Sequence, residues 1–347
     1  MTDEVLLTTE GAVGRIRLNR PKALHSLTHI MCAAINPQLL AWASDPTIKL
    51  VLIDHTEGRG FCAGGDIRML ADSAAQDGKA ARAFFFEEYR MNHQLFTYAK
   101  PIVAFMDGIT MGGGVGISQP ARYRVATENT RLAMPESGIG LFPDVGGGWY
   151  LSRLPGQMGK FLALTGAQLR GADCAALGLA THYVASEKLD ALKAALVARP
   201  DDVEVVLAEF AETAPPAPVL EHQAEIDRLF AADTLEVIRD ALAADSSEFA
   251  QKQSQILATK SPLTCKVSLE QLRRGAAMTD FADEMRMEYA VGSRIIAYPD
   301  FVEGVRAVIV DKDNAPRWNP ACAEDISDTT IETIFAPLPA SEQWSPL

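Results

Sequence analysis

Apolar and polar positions along the 347-residue chain change rhythm near residue 186. Before that point, short apolar runs recur at AVGRIRL (12–18), LVLIDH (50–55), IVAFMDG (102–108), YRVATE (123–128) and THYVA (181–185). Runs this short and rich in β-branched residues predict strands. Between them, apolar residues spaced three and four apart predict helices over 28–44, 80–99 and 158–165. Strands alternating with helices predict an α/β core containing parallel pairs. From Ser186 onward helix follows helix, over 186–199, 201–212, 219–231, 234–244, 248–259, 263–274, 279–297 and 300–312. The segment TAPPAP (213–218) cannot continue a helix and marks a turn or linker. The organisation expected is a core over 1–200, a helical region packed on it over 201–320, and a surface tail rich in Pro and acidic groups over 321–347.

Composition and charge narrow the partners. With 48% hydrophobic and 22% charged residues the chain can bury a large core. Its net charge of −13, without a basic block, argues against nucleic acid as a partner. A polyanionic small ligand would need backbone donors or a few positioned cations. The five scattered cysteines, odd in number and without a CxxC pair, disfavour disulfides and structural zinc and fit a reducing compartment. MTDEVLLTTEG has neither a basic n-region nor a long apolar core, and no apolar run approaches the ~18 residues of a membrane span. A soluble, cytoplasmic protein is expected.

Three segments break the ordinary pattern: GRGFCAGGDI (58–67), GITMGGGVGIS (108–118) and MPESGIGLFPDVGGG (134–148). Each neighbours a strand candidate and leads into helix-like sequence. Consecutive glycines let backbone N–H groups approach and point at a ligand, which suits a phosphate cradle or an oxyanion hole. GGGVG at 112–116 lacks the GxGxxG spacing, no run closes with GK[ST], and GxSxG is absent. The six histidines show no ligand spacing, so no metal is expected. Cys62 inside the first loop reads as a small buried residue. Glu136 and Asp144 stand among apolar residues, where charge is rarely left without a task. On a continuous helix they would lie about 12 Å apart. Gly138, Gly140 and Pro143 instead predict a loop that can bring them together. Beside an oxyanion-type site such a pair suits acyl chemistry. Structurally, Glu136 also reads as a helix-start residue and Asp144 as an N-cap before VGGGWYL.

NRPKAL (19–24), FCAGGDI (61–67) and MGGGVGIS (111–118), in that order, resemble the CoA-binding and oxyanion-hole motifs of the crotonase (enoyl-CoA hydratase/isomerase) superfamily. DGITMGGGVG (107–116), AMPESGIGLFPDVGGG (133–148) and EGVRAVIVDKD (303–313), followed by PRWNP, resemble its 3-hydroxyisobutyryl-CoA hydrolase branch. The resemblance implies an α/β crotonase-like spiral of repeated ββα units with a helical carboxy-terminal region. It implies the backbone N–H groups of Gly65 and Gly113 as the oxyanion hole, and Lys22, Ala23 and Leu24 as CoA contacts. Gly64 and Asp66 count with the substrate-binding residues, Asp66 reading also as a helix N-cap. His25 stands where many relatives have asparagine. Glu88, in FFFEEYRM, matches an acyl-site residue of the branch.

Hydratases of the superfamily use two glutamates. The first falls at position 116, where this chain has glycine, and the second matches Glu136. The hydrolase branch pairs the retained glutamate with the aspartate matching Asp144. The resemblance therefore implies hydrolysis of a short 3-hydroxyacyl-CoA, above all 3-hydroxyisobutyryl-CoA in valine breakdown. Glu136 would act as nucleophile or as general base, and Asp144 would bind the 3-hydroxyl. Neither metal nor redox cofactor is implied, CoA being part of the substrate. A homo-oligomer is left open. The rival readings are a hydratase or isomerase, and a CoA-thioester-binding protein without turnover.

Overall fold

The computed structural model describes residues 2–347; Met1, the first residue of the expected core, lies outside them. The strands are β1 (Val5–Glu10), β2 (Val13–Leu18), β3 (Leu50–His55), β4 (Gly60–Cys62), β5 (Ile102–Met106), β6 (Ile109–Met111), β7 (Tyr123–Ala126), β8 (Arg131–Ala133), β9 (Leu169–Arg170) and β10 (His182–Tyr183). They form a six-stranded sheet in the order β1-β2-β3-β5-β7-β10 and a four-stranded sheet in the order β4-β6-β8-β9. β2, β3, β5, β7 and β10 pair in parallel, as do β4, β6 and β8, while β1 and β9 are antiparallel. The chain thus visits the large sheet, then the small sheet, then a helix, at β3–β4, β5–β6 and β7–β8. These are the expected ββα units.

β3 is buried along Leu50–Asp54 and β5 along its whole length. Continuous apolar strands of this kind belong in a parallel sheet covered on both faces. Val13, Leu50, Leu52, Val103, Phe105 and Val125 pack on one face against the helices Leu189–Ala198 and Val203–Phe210. The other face joins a single buried cluster that runs from Val5 to Trp344. Residues on both sides of position 200 therefore share one core.

The helix Lys79–Phe96 shows why the layers meet as they do. Its buried positions Ala81, Phe84, Phe85, Glu88, Asn92 and Leu95 fall on one stripe with the three-and-four spacing of a core-facing helix. Phe86 meets Tyr289 edge to face at 5.3 Å and Phe96 stacks on Phe281 at 4.0 Å, joining this helix to Phe281–Ile295.

The segment 321–347, expected as a surface tail, is mostly exposed but anchored at a few positions. Its helix Asp328–Phe335 buries Ile334 and Phe335. Trp344 is 1% exposed, and its indole N–H donates to Phe86 O at 3.1 Å. A few large apolar side chains among Pro and acidic residues suffice to dock the segment.

Candidate active site

The three glycine-rich segments follow β4, β6 and β8, three neighbouring parallel strands of the small sheet. They leave at the carboxyl ends of those strands, where open α/β sheets place ligands. β4 runs into Gly64 and Gly65 before the helix Ile67–Ala74. β6 runs into Gly112 and the helix Gly113–Ser118, and β8 into a single 3-10 turn, Glu136–Ile139. The ends enclose a cavity of about 450 Å³. Gly64, Gly65, Glu88, Gly113, Glu136 and Asp144 all line it.

Glycine is required where the loops meet. Gly64 has φ +109, and a Cβ there would lie 3.7 Å from Gly113 N. A Cβ on Gly113 would lie 2.6 Å from Glu88 Oε1, and one on Gly112 (φ +46) 2.9 Å from Glu136 Oε1. Among the described residues the N–H groups of Gly65 and Gly113 have no hydrogen-bond acceptor. Two free backbone donors at touching loops offer a site to an anionic oxygen.

Glu136 and Glu88 are buried, and among the described residues Glu136 Oε2 and Glu88 Oε1 find no partner. Burial pushes the Glu136 carboxyl well above the usual range and the charge of Asp144 adds to this, while the Lys260 ammonium opposes it. Glu88 is raised by burial, then by Asp144 and Glu136. Asp144 is raised by burial to about 6, against a hydrogen bond from Tyr89 Oη at 2.7 Å. The N-cap reading of Asp144 is corrected: its side chain takes the Tyr89 hydroxyl, and Gly146 stands at the N-cap of Gly147–Leu151.

The glycine at 116 has a structural counterpart. A Cβ there would lie 2.6 Å from Val145 Cβ and 2.9 Å from Asn92 Nδ2. Val145 has φ +53, an uncommon conformation for a β-branched residue. It directs its side chain into the space a residue at 116 would fill.

The remaining predicted residues do not line the cavity. Lys22 is exposed, and Ala23 and Leu24 are half-buried in a turn tied to the first loop by Ala63 N–H donating to Leu24 O at 3.0 Å. His25 is buried; its Nδ1 accepts Arg20 N–H at 3.0 Å and its Nε2 meets Glu57 O at 2.8 Å. Asp66 caps Ile67–Ala74 and pairs with Arg20 at 3.1 Å. Cys62 is buried, its thiol pushed up to about 12 by burial, as suits a packing residue.

Sequence reasoning missed Tyr89, Lys260 and the cavity wall supplied by Val308, Ile309, Asn314 and Pro316. Lys260 lines the cavity beside Gly138; Ser261 N–H, next along, donates to Ser137 O at 3.0 Å and ties it to the Glu136 turn. Burial lowers the pKa of Lys260, and Glu136 is among the groups that oppose this. Val308, Ile309, Asn314 and Pro316 also line the cavity. Val308 and Ile309 belong to the EGVRAVIVDKD segment and Asn314 and Pro316 follow it directly; Arg306 holds that segment through Glu303, Asp311 and Asp313. A larger groove of about 870 Å³ lies among the later helices but contains none of the predicted residues. Its Lys160, Lys266 and Arg273 are already ion-paired.

A spiral of ββα units, with glycine loops and buried carboxylates around one cavity, is the architecture of a CoA-thioester enzyme class. The family model described as Enoyl-CoA hydratase/isomerase matches residues 13–335, and the chain belongs to that family. It is 45% identical to the mitochondrial 3-hydroxyisobutyryl-CoA hydrolase of Xenopus tropicalis over 98% of this chain and 90% of that one. It is 42% identical to the Homo sapiens protein of the same name over 98% and 90%. Among solved structures, a carnitinyl-CoA dehydratase from Mycobacterium thermoresistibile superposes with a TM-score of 0.93 at 42% identity, covering 98% of each chain. An enoyl-CoA hydratase from Rhodobacter sphaeroides gives 0.92 at 38% identity, covering 99% of this chain and 100% of that one. These neighbours share the crotonase fold. Among the described residues no helix is long and apolar enough to cross a membrane.

Proposed function

We propose that the chain hydrolyses a short 3-hydroxyacyl-CoA thioester, with 3-hydroxyisobutyryl-CoA as substrate and 3-hydroxyisobutyrate and CoA as products. The observation that carries this is the exchange at position 116: glycine there, Val145 in the vacated space, and Asp144 facing Glu136's cavity. Water addition by two glutamates lacks one of its groups. Thioester hydrolysis in this reading uses Glu136 toward the carbonyl and Asp144 toward the hydroxyacyl group, and the two line one cavity.

In this reading the thioester oxygen sits between the N–H groups of Gly65 and Gly113. Loss of such a donor typically costs roughly 3–4 kcal/mol of transition-state stabilisation. Glu136 attacks the carbonyl, CoA leaves as thiolate, and water opens the mixed anhydride; in the alternative route Glu136 takes a proton from the attacking water. Lys260 favours the ionised form of Glu136 that either route requires. Asp144 accepts the 3-hydroxyl and, near its midpoint at about 6, can pass a proton to the departing thiolate. Water is the only co-reactant, so the balance calls for no metal or redox cofactor. Lys22, Ala23 and Leu24 are the CoA contacts in this reading, supported by the tie of Leu24 O to Ala63 in the loop that carries Gly64 and Asp66.

The hydratase reading is favoured by the names of the two solved neighbours and opposed by Gly116. A binder without turnover has no use for two desolvated carboxylates. The substrate places the reaction in valine breakdown. Cysteine usage supports a reducing compartment; the cytoplasm is the expectation from sequence, whereas the hydrolase relatives are named mitochondrial.

Incubation with 3-hydroxyisobutyryl-CoA and, separately, with crotonyl-CoA tests the proposal by following free thiol and enoyl absorbance. Thiol release from the first is expected; enoyl loss without thiol release would overturn it. Glu136→Gln is expected to lower thiol release by roughly 10³-fold, at the level of a lost acid/base group. Single turnover in labelled water separates the routes, since label enters the Glu136 carboxyl only through the anhydride.

A further inference from the structure

The loop that carries Asp144 is held from behind by a second group of buried polar side chains. Val145 and Gly146 are consecutive left-handed residues, at φ +53 and +93. A valine persists there only if its surroundings over-determine it. Gln271 Nε2 donates to Pro143 O at 2.6 Å on one side of Asp144. On the other side Glu288 Oε2 accepts Gly146 N–H at 2.8 Å, and Oε1 accepts Gly148 N–H at 3.2 Å. Gln271 Nε2 also donates to Glu288 Oε1 at 2.8 Å, which closes the frame.

These side chains come from the helices Pro262–Ala277 and Phe281–Ile295, and neither residue lines the cavity. Glu288 is 0% exposed, yet three N–H donors converge on it, a set that fits an ionised carboxylate. Glu284, one turn earlier and equally buried, has no hydrogen-bond donor for either oxygen among the described residues. Its carboxyl is pushed up to about 7 by burial. Two buried carboxyls side by side hold one proton between them. Burial and the neighbouring Glu284 also raise the Glu288 carboxyl well above the usual range, against the Gly146 hydrogen bond, and Glu288 accepts from its three N–H donors whichever of the pair holds the proton.

We infer that Glu288, together with Gln271, is the positioning group of Asp144: it fixes the strained turn that aims the Asp144 carboxylate at the acyl site and keeps Val145 in the space beside Gly116. The inference rests on the proposed role of Asp144 in thioester hydrolysis. Neither side chain reaches substrate. They act through the backbone N–H and C=O groups that flank Asp144.

The test uses the full chain with Glu288→Gln, which keeps the shape but sets an NH2 donor against backbone N–H groups. Thiol release from 3-hydroxyisobutyryl-CoA is expected to fall in kcat by about 100-fold, the effect of a misplacement near 1 Å, with KM and CoA affinity within about threefold. Gln271→Leu, which leaves the carboxylate in place, should show the same split with a smaller loss, and stands in if Glu288→Gln does not fold. Wild-type kcat in either folded variant would overturn the inference. So would equal losses in kcat and CoA affinity, which would mark a general loosening. A wild type that releases no thiol refutes the functional reading itself, and this inference with it.

Discussion

Replacing Gly116 with alanine adds one carbon 2.6 Å from Val145 Cβ, 3.0 Å from Val145 Cγ2 and 2.9 Å from Asn92 Nδ2. Carbon pairs settle at about 3.5–4.0 Å, so Val145 would have to retreat by about 1 Å. It has little freedom to do so, because Gly146 N–H is bonded to Glu288 and Pro143 O to Gln271. Overpacking of this kind costs about 1–3 kcal/mol. At roughly 2.1 cal/mol/K per residue, unfolding 347 residues carries about 0.7 kcal/mol/K. A loss of 2 kcal/mol then lowers Tm by about 3 °C. Gly116→Glu adds more atoms and a buried charge, so it is expected to be less stable still and to hydrate no crotonyl-CoA. Pairing Gly116→Glu with Val145→Ala removes the main obstacle and should recover part of the lost Tm. Thermal unfolding by circular dichroism, thiol release and enoyl absorbance read the three effects. A Gly116→Glu chain with wild-type Tm and crotonyl-CoA hydration would refute the argument that Val145 occupies the hydratase position.

Three further outcomes follow from the charges around the cavity. Asp144 is raised from 3.8 to about 6, so it is protonated in both states below pH ~4; between ~4 and ~6 the unfolded chain ionises first, and above that the penalty is complete at up to roughly 3 kcal/mol. Asp144→Asn should therefore unfold at a higher temperature than wild type at pH 8 and lose that advantage at pH 4.5; an advantage independent of pH would contradict the assignment. Glu88→Gln removes a buried charge from the acyl side and is expected to raise Tm at pH 8 while lowering thiol release by roughly 100-fold; unchanged turnover would leave Glu88 a role in packing alone. Lys260→Met removes the cation that opposes the rise of Glu136, so the acidic limb of the kcat/KM profile should move to higher pH, and an unmoved limb would separate Lys260 from Glu136.

How much of this is legible in the sequence depends on how the signal is written. β3 and β5 stand out as apolar runs because a covered parallel sheet demands them. β4, β6 and β8 are three residues each and escape that test, yet the glycine loops at their ends mark them. Glu136 and Asp144 are visible as charges in apolar company, whereas Tyr89 and Lys260 become partners only when distant segments meet. Glu284 and Glu288 carry a readable sign: on Phe281–Ile295 they share the buried stripe with Phe281, Met285, Val291 and Ile295. Glu88 does the same on Lys79–Phe96, while its neighbour Glu87 lies off that stripe. A carboxylate at a core-facing helical position is a stronger signal than a carboxylate in a helix. Val145 carries no sign at all, since a left-handed valine is specified by its contacts and not by its identity.

The same observations change what the helices after residue 200 are for. Read from sequence they form a region packed over a catalytic core, and removing them would leave the glycine loops and Glu136 in place. In the structure they supply Lys260 to the cavity of Glu136, the bonds from Gln271 and Glu288 to the backbone around Asp144, and cavity-lining residues between Val308 and Pro316. The small sheet alone can set two N–H donors and one carboxylate at the ends of its strands. It cannot orient Asp144, because the loop that carries it is too strained to hold its shape without bonds from outside. On the proposed function, the step from a shared scaffold to a particular reaction would depend on two elements acting together: glycine at 116, whose space Val145 fills, and the later helices, which bond the backbone on either side of Asp144.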